Sequence, residues 1–156
     1  MALTIFPRPW LIRFSYVFMR LVAVFYRGNA VECPVCKGRF SKFLPYGYNK
    51  VRENVLCPQC LSLERHRLLW LYLRERTGIF TGNYSLLHIA PEQCFYKRFR
   101  KMGNLTYVTA DLESPLADIK LDVQAMPFKD DEFDIVICNH VLEHVPDDRK
   151  ALREIY

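Results

Sequence analysis

Glycine is scarce in this chain: six residues in 156, and none between Gly82 and Gly103. A dinucleotide site needs Gly-x-Gly-x-x-Gly so that backbone amides can approach the pyrophosphate. The loop His88-Ile-Ala-Pro-Glu-Gln-Cys94 contains no glycine. Glu92, near a helix N-terminus, would also repel phosphates, so the sequence argues against NAD and FAD. An uninterrupted apolar run is missing as well. A membrane span needs about 20 apolar residues and resists central arginines, and Arg13 and Arg20 interrupt the apolar segment Trp10–Tyr26. No Ala-x-Ala-like cleavage site follows, which excludes a typical secretory signal. There is no internal repeat and no low-complexity stretch.

What is present is a globular composition, 51% hydrophobic and 25% charged, with charge unevenly distributed. Residues 1–78 carry 13 Lys/Arg against 4 Asp/Glu, a balance of +9, whereas residues 79–156 carry 9 against 13, a balance of −4. The division predicts two units with different roles, the basic one suited to an anionic surface. Arg13, Arg20 and Arg27 recur every seven positions, which puts them on one side of a helix ended by Gly28-Asn29. Two readings follow: a helix at a lipid interface through residues 8–27, or one that packs on the protein. Packing is preferred, since half-buried helices are the commoner kind.

Six cysteines occur, four of them as Cys33-Pro-Val-Cys36 and Cys57-Pro-Gln-Cys60. Cys-x2-Cys-x20-Cys-x2-Cys is the spacing of a closed, structural four-thiolate zinc site. In a reducing compartment such pairs hold metal more often than they form disulfides. The expected location is therefore the cytoplasm, with peripheral attachment if the first helix lies at a membrane. Cys94 and Cys138 are expected to be core thiols. Ser62 is the expected N-cap of a helix reaching about Thr77, with Gly78 as its stop and Glu64–Arg67 as a solvated or interdomain polar face.

From Tyr84 the pattern alternates. Strands are predicted at Ser85–Ala90, Leu105–Ala110, Ile119–Asp122 and Phe133–Cys138, with helices over Glu92–Lys101 and after Pro146. This is a βαβ arrangement with a parallel sheet. Polar residues gather at the strand ends: His88 and Glu92, then Asp111, Asp122, and Asn139 with His140. Open α/β sheets bind ligands there, and an acid about 20 residues beyond the first loop suits ribose hydroxyls. His140-Val-Leu-Glu-His144 also fits the inverted zinc-protease pattern. Pro146 ends the turn too soon for that reading to be favoured.

The segment Asp122-Val-Gln-Ala-Met-Pro-Phe-Lys-Asp-Asp-Glu-Phe-Asp134 and the following Ile-Val-Ile-Cys-Asn-His-Val-Leu-Glu-His-Val145 resemble class I S-adenosylmethionine-dependent methyltransferases of the type 11 group. With Arg52–Cys60 and Ser62–Trp70, the chain resembles bacterial methyltransferases that have a zinc-ribbon-like front end. The resemblance implies a partial Rossmann-like doubly wound sheet over 83–156. Before it would come an amphipathic helix over 1–28, a zinc ribbon over 29–62 and a connecting helix over 63–82. It implies that His88, Ala90 and Glu92 face the methionine part of the cofactor and that Asp111, with Leu112, takes the ribose. Asp122 and Val123 would lie beside adenine. Asn139 and His140 would close the site near the reactive methyl, with His140 the candidate base. The family's glycine-rich first loop is replaced by Ala90, Glu92 and Cys94, which leaves the cofactor less room. Later strands are absent, so the chain is expected to be an inactive N-terminal portion of an enzyme whose methyl acceptor is unidentified. The competing reading is a binding module for nucleic acid or a membrane surface. It would use Lys37, Arg39, Lys42, Lys50 and Arg52 with Phe40, Phe43, Tyr46 and Tyr48; nucleic acid is the less favoured partner.

Overall fold

The computed structural model describes residues 8–47 and 49–156; Tyr48 and the side chains of Arg8, Pro9, Leu11, Ile12, Arg13 and Tyr16 lie outside the described set. The chain divides into two compact units, one ending at Thr77 and one beginning at Gly78. The helix expected to connect two domains is thus part of the first unit.

The first unit opens with helix α1 (Arg8–Phe25). Strand β1 (Arg27–Glu32) begins two residues later and pairs antiparallel with β2 (Arg39–Phe40). Gly28 and Asn29 are therefore strand residues and not a helix stop. Gly28 is needed for a close approach: a Cβ there would lie 2.6 Å from the backbone nitrogen of Ser41. A second antiparallel pair, β3 (Leu44–Tyr46) with β4 (Arg52–Leu56), leads into α2 (Glu64–Arg76). Phe40 and Phe43 are buried between these elements, so two of the rings expected to stack on bases are core residues. Among the described side chains of α1, Ala23 is buried and Met19 and Val22 are half-buried, whereas Trp10, Phe14, Val17, Phe18, Leu21, Val24 and Phe25 are exposed.

The helix α2 begins one residue later than expected. Leu63 is its N-cap, and His66 Nδ1 accepts the Leu63 backbone N–H at 3.1 Å, which satisfies one orphan donor of the first turn. Of the polar residues at its start, His66 and Arg67 are anchors, whereas Arg65 is exposed. Arg67 donates to the carbonyls of Val55 and Ser62 at 2.8 and 2.9 Å and lies over the Phe43 ring. Glu64 accepts from Arg52 at 2.7 Å.

The second unit is a four-stranded parallel sheet in the order β7-β6-β5-β8, formed by β5 (Tyr84–Ile89), β6 (Leu105–Asp111), β7 (Ile119–Lys120) and β8 (Ile135–Cys138). Alternate side chains point to opposite faces of a strand. Leu87, Ile89 and Ala110 accordingly form one core with Ala151 of helix α4 (Asp148–Ile155). His88 and Tyr107 point to the other face, against Phe95 and Phe99 of helix α3 (Gln93–Phe99). Helices on both faces of a parallel sheet make this part of a Rossmann-like, doubly wound fold. Asp147 caps α4 as expected, its side chain accepting from Lys150 N at 2.9 Å.

Two aspartates hold the strands in register. Asp134 accepts from the backbone and hydroxyl of Ser85, both at 2.7 Å, which ties the start of β8 to that of β5. Asp118 accepts a two-pronged bond from Arg100 at 2.8 and 2.7 Å and two bonds from Thr109. Partial burial alone would raise the Asp118 pKa, but the bonds from Arg100 and Thr109 hold it below the ordinary aspartate value. A carboxylate with a depressed folded-state pKa stabilises the fold above its unfolded value, and that contribution is lost as pH falls through the folded pKa. The urea midpoint of the protein should therefore drop as pH is lowered below the ordinary aspartate value of 3.8. Asp118→Asn should show lower stability at pH 7 and a shallower acid slope. An unchanged slope would contradict the assignment.

Candidate functional site

The first candidate site is the cysteine quartet. Each Cys-Pro-x-Cys pair folds into a knuckle with the same backbone pattern. Lys37 N donates to Cys33 O and Cys33 N to Gly38 O, just as Leu61 N donates to Cys57 O and Cys57 N to Ser62 O. The residue after each second cysteine, Lys37 or Leu61, takes a positive φ, 59° and 61° respectively. The four sulfurs all lie within 4.8 Å of one another, with Cys33–Cys60 at 3.7 Å and Cys36–Cys57 at 3.6 Å. Tetrahedral zinc with bonds near 2.3 Å requires sulfur–sulfur separations of about 3.8 Å, so the donor set fits the ion. These separations are too long for disulfides, whose S–S bond is about 2.05 Å. Ser62, expected to cap α2, instead places its hydroxyl 3.3 Å from Cys33 Sγ and 3.2 Å from Cys60 Sγ. No helix-cap rule points to that role; its only sequence signal is its position two residues after Cys60.

The second candidate site lies at the carboxyl ends of β5, β6 and β8. In this order β5 and β8 flank the topological switch point, where chain connections run to opposite faces of the sheet and leave a crevice. Both strands end in a left-handed residue, Ala90 at φ 52° and His140 at φ 57°. Ala90 thus keeps a conformation that glycine adopts freely but that costs an alanine roughly 1–2 kcal/mol. Its backbone N–H still donates to Ala110 O at 2.8 Å.

Across the crevice runs a chain of four side chains. Asn139 Nδ2 donates to Glu92 Oε1 at 2.6 Å; Glu92 Oε2 lies 2.7 Å from His88 Nε2; His88 Nδ1 lies 2.9 Å from the Tyr107 hydroxyl. With Glu92 ionised, Nε2 carries the imidazole proton and Nδ1 accepts from Tyr107. Burial pushes the Tyr107 phenol well above its usual pKa, so it stays a donor. His88 is fully buried; it reaches the crevice only through Glu92. Tyr107 is the member that sequence reasoning missed, because an aromatic in the middle of a strand looks like any core residue.

Asp111, at the end of β6, accepts the Glu113 and Ser114 amides on Oδ1 alone, at 2.7 and 2.6 Å. Leu112 beside it is exposed. Asp122 accepts from the Gln124 amide at 2.9 Å and from its side chain, which hold its pKa below the ordinary carboxylate range, while Val123 is buried in the core. Glu92, Asp111 and Asp122 together suit a ligand that carries hydroxyls and positive charge, and oppose a phosphate. His140 is exposed, its Nδ1 2.9 Å from Glu143 Oε1. Val141–His144 makes only a short 3-10 turn. Among the described residues, the four cysteines are the one group of three or more His, Cys, Asp or Glu with metal-binding spacing, which leaves the zinc-protease pattern without a third ligand.

A protein-family model described as a methyltransferase domain matches residues 71–156. Neither the curated proteins nor the solved structures yield a match.

The zinc site predicts about one zinc per chain by elemental analysis, absent from Cys57→Ser. Ser62→Ala should retain zinc less well against a competing chelator, by roughly tenfold or more if the hydroxyl supports the thiolates. Full zinc content in Cys57→Ser would contradict the assignment.

Proposed function

Since the matched segment spans more than half of its length, the chain belongs to the class I S-adenosylmethionine-dependent methyltransferase group, and from that premise we propose that its cofactor lies at the carboxyl ends of β5, β6 and β8. The observation that carries this reading is the strand order, which sets Ala90, Glu92 and Asn139 around a switch point with Asp111 on the neighbouring strand. When bound, the cofactor supplies an electrophilic methyl group on a cationic sulfonium.

The protein's part in this reading is to bind, orient and remove a proton. Asp111 holds Oδ1 on two backbone amides and offers Oδ2 to the ribose hydroxyls. Asp122 and Val123 border the adenine. The Glu92 carboxylate, fixed by His88 and Asn139, sets negative charge beside the cofactor's cationic groups. His140, oriented by Glu143, leaves Nε2 outward to take a proton from the acceptor. Positioning is the main source of rate in such an in-line transfer and contributes several kcal/mol. Cys33, Cys36, Cys57 and Cys60 would hold a structural zinc whose binding folds the ribbon.

Titration calorimetry of the full chain with S-adenosylhomocysteine should show one site. Loss of charge-assisted bonds to ribose, about 1.5–3 kcal/mol each, should weaken binding by roughly tenfold or more in Asp111→Ala. Undiminished affinity in that variant would overturn the proposed cofactor site.

A further inference from the structure

The helix α1 carries its large apolar side chains on the wrong side for a core element. Trp10, Phe14, Val17, Phe18, Leu21 and Phe25 fall within a stripe roughly 100° wide at 3.6 residues per turn. All six are exposed, Trp10 at 72%, Phe14 at 69% and Phe25 at 87%, while the small Ala23 on the opposite side is buried at 8%. Scattered exposed apolar residues need no explanation, but a contiguous stripe marks an interaction surface.

The charge around the stripe selects the partner. The first 31 residues contain Arg8, Arg13, Arg20 and Arg27 and no acid; the first acid in the chain is Glu32. Arg20 and Arg27 line a groove of about 560 Å³ between α1 and the ribbon, with Ala23, Val24 and Arg39. Arg39 is bonded to Glu32 at 3.2 Å, whereas Arg20 and Arg27 have no acidic partner among the described residues. Among the described residues, no helix is long and apolar enough to cross a membrane. Aromatic and aliphatic side chains along one side of a helix, with unpaired arginines at its border, is the composition of a helix lying in a lipid interface. A protein groove would be expected to supply carboxylates for these arginines; an anionic bilayer supplies phosphates in the plane where they emerge.

We propose that α1 docks the protein on anionic lipid bilayers, the Trp10–Phe25 stripe entering the acyl boundary and Arg20 and Arg27 contacting headgroup phosphates. The surface is independent of the cofactor site, so it is tested without reference to methyl transfer. The experiment is co-sedimentation of the full zinc-loaded chain with phosphatidylcholine vesicles, with and without phosphatidylglycerol. Binding is expected to the mixed vesicles and much less to phosphatidylcholine alone, and it should weaken with added salt. Arg20→Ala with Arg27→Ala should lower the partition coefficient by roughly thirtyfold, about fivefold for each charge. Phe14→Asp or Leu21→Asp should abolish binding. These positions are exposed, so zinc content and helical circular dichroism should be preserved in every variant; Phe14→Asp and Leu21→Asp check one another if either is lost. Three outcomes would overturn the proposal: no binding to mixed vesicles, equal binding to both vesicle types, or a stable dimer that Leu21→Asp dissociates while vesicles stay unbound. Free inorganic phosphate should not compete at concentrations that leave ionic strength unchanged; full competition would point to a soluble phosphate ligand in the groove and also overturn it.

Discussion

The carboxylate of Glu92 joins the ends of β5 and β8 across the switch point, with one oxygen on His88 and the other on Asn139. Much of the second unit depends on that bridge. His88 is fully buried between Phe95, Phe99 and Tyr107, and a buried imidazole left with an unpaired nitrogen costs about 1–3 kcal/mol. Glu92 and Tyr107 between them satisfy both of its nitrogens. The same carboxylate orients Asn139 at the end of β8. A loop that lacks glycine can therefore be rigid and still turn sharply at Ala90. The loop is held by the Glu92 bonds to His88 and Asn139 and by the Ala90 N–H, which donates to Ala110 O at 2.8 Å.

A comparable constraint governs the first unit, where few residues are available to form a core. Two knuckles with matching backbone bonds bring four sulfurs within 4.8 Å of one another, and a metal bound there would supply folding free energy that a segment of this size cannot obtain from apolar burial alone. Ser62 links the cysteine cluster to α2: its hydroxyl faces two sulfurs, and its carbonyl accepts both the Cys57 N–H that closes the second knuckle and the Arg67 guanidinium. The helix that follows is thus fixed by the cysteine cluster's own loop.

Much of this was legible in the sequence because it rests on spacing. Cys-x2-Cys pairs, apolar runs ended by Asp111 or Asn139, and Asp147 before a helix each state their geometry locally. The remainder depended on which of two chemically sound partners a residue takes. Ser62 can cap a helix or face sulfur, and only the fold decides. Gly28-Asn29 can stop a helix or start a strand, and the close passage of Ser41 makes it the latter. Strand alternation also puts His88 on the same side as the buried Leu86. Periodicity showed that α1 has an apolar side, but not that this side would point outward. Phe40 and Phe43 looked like stacking residues because a ribbon's small core is drawn from the same aromatic residues as a nucleic-acid surface.

The carboxylate-bridged, glycine-free switch point is the proposed cofactor site, and backbone amide NMR of the full chain titrated with S-adenosylhomocysteine tests it. Shifts should be concentrated at Ala90, Glu92, Asp111–Glu113, Asp122–Gln124 and Asn139. Shifts confined to the groove lined by Met126, Phe128, Phe133 and Ile155, with those strand-end amides unmoved, would contradict it.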